Sequence, residues 1–153
     1  MDKERFSQAV WAMRSSMLRL SMSLLRNQSD AEDAVSEAVL RAWAHRDTLR
    51  GDLKPWLLKI VANCCYSTMR TRKRLAPVAD EHLFESPAQE DEAHTLWQYL
   101  WGMPENYRVV LSLFYYERMR VDEIAQALGI PRGTVTARLK RGRERLLKIM
   151  KEG

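Results

Sequence analysis

Three sets of side chains in this 153-residue chain have the types and spacing to bind a partner. The densest is Thr134, Ala137, Lys140, Arg141, Glu144 and Lys148, which recur every three or four residues and so share one helix face. Cations beside small and hydroxyl side chains suit the major groove of duplex DNA, with the amino-terminal residues nearest the base edges. A second set, Lys59, Asn63, Tyr66, Arg70 and Lys73, repeats that spacing and is bordered by Trp56 and Ser67. Cations interleaved with a ring and an amide suit single-stranded nucleic acid, because phosphates meet charges while unstacked bases meet rings. In the third set, Asp33, Ser36, Glu37, Leu40 and Ala44 share a face that places a leucine among acids. An apolar anchor ringed by charge fits a protein-binding site. The alternative for each set is a solvated polar face with no partner.

Catalysis is not foreshadowed. His45, His82 and His94 lack metal-ligand spacing with one another or with the cysteines. No phosphate-cradling loop or nucleophile turn is present. The expectation is a protein that is not an enzyme and needs no metal or cofactor.

The elements that must carry these faces are helices. Val121, Ile124, Ala125 and Leu128 mark a short helix buried along one stripe, which Gly129 and Pro131 end. A second helix begins near Gly133–Thr134, with Val135, Leu139, Leu146 and Ile149 inward and Gly142 on the same side. Together they read as a helix-turn-helix, in which Ala125 permits close approach and Val135 fills the core. Upstream, Phe6, Val10, Met13, Met17, Leu20 and Leu24 define one amphipathic helix over residues 3–26. Ser29 and Glu32 fit a capping box for a helix reaching about Ala44, whose inner stripe is Ala31, Val35, Ala38 and Ala42. Pro55 opens a third helix to Arg74, with Leu57, Ile60, Val61, Cys64 and Thr68 buried and Cys65 at the edge. Two more helices, near Ala93–Leu100 and from Pro104, place Trp97, Tyr107, Val110, Leu111 and Phe114 inward.

Charge divides the chain in three. Residues 1–75 carry 14 Lys/Arg against 8 Asp/Glu, residues 76–95 carry 6 acids and no Lys/Arg, and residues 96–153 carry 11 against 6. Two basic blocks flanking an acidic, proline-containing strip predict two small helical domains joined by an acidic linker, with boundaries 1–75, 76–92 and 93–153. The overall +5 and pI of 9.4 favour a polyanionic partner. Cys64 and Cys65 are adjacent, where a bridge would be badly strained, so no disulfide framework is expected. No apolar run approaches the ~20 residues of a membrane span. The expected location is the cytoplasm.

With those residues in view, the chain resembles the extracytoplasmic-function group of the bacterial sigma-70 family. SDAEDAVSEAVLRAW (29–43) and PWLLKIVANCCYSTMRTRKR (55–74) resemble sigma region two, and MPENYRVVLSLFYYERMRVDEIAQALGIPRGTVTARLKRGRERL (103–146) resembles region four. The resemblance implies a promoter-specificity subunit whose partners are core RNA polymerase, promoter DNA as duplex and single strand, and an anti-sigma factor. It implies that Asp33, Ser36, Glu37 and Leu40 meet the β′ clamp helices and that region four meets the β flap. It implies that Trp56, Lys59, Asn63, Tyr66, Ser67, Arg70 and Lys73, with the loop at 47–54, meet the opened −10 strand. Arg132, Thr134, Thr136, Ala137, Arg138, Lys140 and Arg141 would meet the −35 duplex, and the linker would thread the channel that RNA later occupies. The free protein is expected to be a monomer. Departures exist: Ser36, Val39, Ser67 and Thr136-Ala137 stand where the family often has Gln, Phe, Asp and Lys-Ser. The competing reading is an ordinary operator-binding regulator, which needs neither the Lys59–Lys73 face nor the acidic helix before it.

Overall fold

The computed structural model describes residues 2–75 and 93–152. Among them are eight α-helices, one short 3-10 turn at Arg46–Thr48 and no strand. The acidic strip at 76–92, with Leu83 and Phe84, lies outside the described residues. The fold class expected from the sequence, all-α, is the one found.

The amino-terminal half is built from α1 (Lys3–Ala12), α2 (Arg14–Leu25), α3 (Gln28–Ala44) and α4 (Leu53–Leu75). The single helix expected over 3–26 is two helices. At Met13 (φ −99, ψ 5) the N–H is shared between the carbonyls of Ala9 and Val10, both at 3.1 Å, and the ladder restarts at Arg14. The seam expected across that break is buried at Phe6, Met17, Leu20 and Leu24, while Val10 and Met13 are half-buried. α2 ends on Arg26 in the left-handed region (φ 54), which turns the chain into α3. The cap of α3 also differs from expectation: Asn27, not Ser29, accepts the N–H of Asp30 at 2.9 Å. An asparagine oxygen at the N-cap satisfies one of the orphan amides, so the Ser29–Glu32 box is not needed. The alanine stripe of α3 is buried as expected, which lets α2 and α4 pack close.

α4 starts at Leu53, so Pro55 sits in the first turn, where its missing N–H costs no helical bond. Leu57, Leu58, Val61, Ala62, Cys64 and Cys65 are all fully buried. Cys65, expected at the edge, is fully buried, with Ser21 of α2 beside its thiol. Burial pushes its thiol up to about 12, so it is an inert core group. Arg72 ties the end of α4 to its neighbours, donating Nε to Asp30 at 3.0 Å and Nη1 to the Leu25 carbonyl at 2.9 Å.

The second half comprises α5 (Ala93–Trp101), α6 (Glu105–Tyr115), α7 (Val121–Leu128) and α8 (Arg132–Glu152). Gly129 takes φ 67 and ends α7 as expected, and the Ile130 N–H closes on the Ala125 carbonyl at 3.1 Å. α8 begins at Arg132, one residue earlier than expected. Ile124, Leu128, Val135 and Leu139 form the core between α7 and α8. Ile149, expected inward, is 37% exposed, because α8 outruns its partners after Leu146. Gly142 lies against α6: a Cβ there would stand 3.1 Å from Leu111 Cδ1 and 3.4 Å from Tyr107 Cβ.

The two halves share a seam. α7 packs on α4 and α6 on α2. Glu117, 4% exposed, takes both Nε and Nη2 of Arg19, at 2.7 and 2.9 Å, and its carbonyl accepts Lys54 Nζ at 2.7 Å. That bidentate grip holds the Arg19 guanidinium above its ordinary pKa, against the opposing effect of burial. Arg108, 3% exposed, donates Nε to the Ser23 carbonyl and Nη1 to the Met103 carbonyl. Desolvation brings it down to about 10, with the nearby Arg26 adding and Glu105 opposing. It still carries its charge at neutral pH, stabilised by carbonyls at the ends of α2 and α5.

Candidate nucleic-acid interface

The α3 face is displayed because its opposite side is alanine-rich and buried. Asp33, Ser36 and Glu37 are exposed, Leu40 is 72% exposed, and Glu37 pairs with Arg41 one turn on. Leu40, Val35, Ser36 and Val39 line one wall of an open groove of about 450 Å³, and Val10, Trp11 and Arg14 line the other. Trp11, 75% exposed with Arg14 at 6.0 Å from its ring, is absent from the sequence-based set. Its neighbours Phe6, Val10 and Met13 carry the helical periodicity, and Trp11 falls outside it.

On α4, Lys59, Asn63, Arg70 and Lys73 are exposed, while Trp56, Tyr66 and Ser67 are half-buried. The carboxyl end of this face forms a hollow of about 410 Å³ lined by Ser67, Arg70, Thr71, Lys73 and Arg74. Thr71 and Arg74 thus extend the basic surface beyond the residues expected. Tyr66 is a special case, because it faces the second half of the molecule. Burial pushes its phenol up to about 12, with Glu105 adding to the shift and Arg138 opposing it. Burial likewise raises Glu105, while Arg108 and Arg138 pull it down. Tyr66, Glu105 and Arg138 therefore share one electrostatic neighbourhood, joining a candidate single-strand residue to a candidate duplex residue.

On α8, Arg132, Thr136, Ala137, Lys140 and Arg141 are exposed, and Thr134 and Arg138 are half-buried. The helix is seated by Thr134 and Val135 N–H groups on the Pro131 carbonyl, at 3.1 and 3.2 Å. With Val135 and Leu139 inward, the cationic positions must point out. Arg138 and Arg141 border a hollow of about 300 Å³ whose far wall is Asn106 and Tyr107 of α6. Tyr107, expected inward, is half-buried: its Cβ faces Gly142 and its ring lies under Arg145, both on α8.

Among the described residues, no group of three or more His, Cys, Asp and Glu could hold a metal ion, and no helix is long and apolar enough to cross a membrane.

Comparison with known proteins matches two family descriptions to this layout: Sigma-70 region 2 over residues 10–75 and Sigma-70, region 4 over residues 94–146. The RNA polymerase sigma factor SigV of Bacillus subtilis is 31% identical, covering 87% of this chain and 81% of its own length. The ECF RNA polymerase sigma factor SigW of the same organism is 29% identical, covering 99% of this chain and 91% of its own. The sigma factor RpoE of Bartonella quintana, solved in complex with the anti-sigma factor NepR, superposes with a TM-score of 0.83. It is 27% identical, with 97% of this chain and 98% of that one covered. Sequence, fold and the order of the two matched regions agree, and the chain belongs to the extracytoplasmic-function group of the sigma-70 family, the non-enzymatic RNA polymerase sigma factors.

Proposed function

We propose that this chain directs core RNA polymerase to promoters by reading a −35 element with α8 and capturing the opened −10 strand with α4. The observation that carries the reading is the outward cationic face of α8 seated on a helix-turn-helix, with Arg132, Lys140 and Arg141 exposed. Residues 1–75 serve as the core-binding and −10 domain, 93–153 as the −35 domain, and the acidic residues 76–92 as the connection between them. Asp33, Ser36, Glu37 and Leu40 meet the β′ clamp helices, and the carboxy-terminal domain meets the β flap. Trp56, Lys59, Asn63, Tyr66, Ser67, Arg70 and Lys73 take the melted strand, where stacking and phosphate contact supply the energy of capture. Arg132, Thr134, Thr136, Ala137, Arg138, Lys140 and Arg141 take the −35 duplex. The protein works in the cytoplasm, and its likeness to RpoE held by NepR supports an anti-sigma factor as its regulator.

Run-off transcription tests this. Core polymerase plus this protein on a randomised promoter library, with sequencing of transcript starts, should return a two-part motif upstream of each start. Binding of duplex without core-dependent transcription would instead identify an operator-binding regulator.

A further inference from the structure

The hollow between α6 and α8 has a chemistry that the −35 reading does not use. One wall is the recognition helix, through Thr134, Ala137, Arg138 and Arg141; the other is Asn106 and Tyr107, from a helix outside the helix-turn-helix. It does not end there. Tyr107 and Arg141 also line a second hollow, of about 340 Å³, with Glu144, Arg145 and Lys148. The two hollows share two residues and form one trough along the flank of α8. Cations outnumber acids in it, with Arg138, Arg141, Arg145 and Lys148 against Glu144. Arg145 lies 5.2 Å over the Tyr107 ring, which fixes the ring and leaves the far wall its neutral donors, a phenol and an amide.

We propose that this trough seats one sugar–phosphate strand of the −35 duplex, gripped from α6 by Asn106 and Tyr107 while α8 reads the major groove. The inference rests on the promoter reading above and adds two residues to it. A recognition helix in the major groove is flanked by the strand that bounds the groove. A trough running beside that helix therefore meets phosphates before it meets bases. Neutral donors on the far wall set register without displacing further counterions.

The test uses full-length protein assembled with core polymerase on a promoter recovered from the library. Single methylphosphonates, which remove one phosphate charge at a time, are scanned through the −35 element. Wild type should lose affinity at one or two adjacent phosphates on one strand. The double variant Asn106→Ala, Tyr107→Phe should bind the unmodified promoter about tenfold more weakly, the scale of two neutral hydrogen bonds. The penalty at those methylphosphonates should be smaller in the variant than in wild type, since the cations of the trough still sense the lost charge while the two neutral bonds are already gone. Its salt slope should match wild type because no protein charge was removed. Tyr107→Phe keeps the ring beneath Arg145, so circular dichroism and the melting temperature of the variant should be unchanged. Equal affinity of variant and wild type, or a loss that simply adds to the methylphosphonate effect, overturns the proposal. Arg141→Ala separates the two readings. If it weakens binding while the double variant does not, the trough is wrong and the recognition helix right. If neither changes binding, the α8 reading itself fails.

Discussion

Leu40 and Tyr66 were both placed on outward faces by spacing, and only Leu40 stands clear of the rest of the chain. Helical periodicity reports which side of a helix faces its own nearest core. α3 has one core, marked by five buried alanine and valine positions, so its far side could be read directly. α4 has two neighbours, its own bundle and α7, and the second comes from some sixty residues further along the chain. No local spacing encodes that contact. The difference yields two expectations. Leu40→Asp should weaken binding to core polymerase by at least ~2 kcal/mol, the scale of an interface hot spot. Helicity by circular dichroism should be unaltered, since the side chain has no core role to lose. Tyr66→Ala should leave the affinity for duplex −35 DNA intact and reduce permanganate reactivity of melted thymines about tenfold, within the ~1–3 kcal/mol of a stacked base. Normal melting by a folded Tyr66→Ala protein would remove that ring from the −10 site.

Among the elements, α7 and the turn at Gly129 were legible to the residue, because a left-handed glycine before a proline is local chemistry. α6 was half legible. Its inner face was expected at Tyr107, Val110, Leu111 and Phe114; Val110 and Leu111 are buried and Tyr107 and Phe114 half-buried, while Arg108, Val109, Ser112 and Leu113 are buried as well. The signal was present in the run Val109–Phe114, where five of six residues are apolar: a helix that is apolar all round is buried all round. The break at Met13 had no such signal, since the apolar seam continues through it. α8 offers an element-scale test at Gly142. Alanine would bring ~1 kcal/mol of helix propensity, but its Cβ would meet the fully buried Leu111 at 3.1 Å, and overpacking costs ~1–3 kcal/mol. With Leu111 fully buried, the shift it must make should cost more than the propensity returns, so Gly142→Ala should lower the denaturation midpoint, and −35 affinity should fall with it as α8 tilts. A raised midpoint would mean that α6 and α8 yield more easily than their packing implies.

At the scale of the molecule, two matched regions that family comparison treats separately are clasped together through Glu117, which a single-sequence reading had no reason to notice. It follows Tyr116 and precedes Arg118, a non-glycine residue at φ 54, in the turn between α6 and α7. Glu117→Ala should strip Arg19 of its carboxylate and loosen the seam by about 2 kcal/mol, less than the ~3–5 of a fully buried pair because Arg19 is 36% exposed. Small-angle scattering should then show a larger radius of gyration at unchanged helicity. The half-buried Tyr66 makes that seam a matter of arithmetic. On the promoter reading, a strand-capturing ring that is half-covered in the closed form is fully available only in the open fraction, and every apparent dissociation constant that needs it is divided by that fraction. If closure is worth about 3 kcal/mol, roughly one molecule in 150 is open at any instant. On the promoter reading, a change at position 117 would then move basal transcriptional output without touching a single DNA contact.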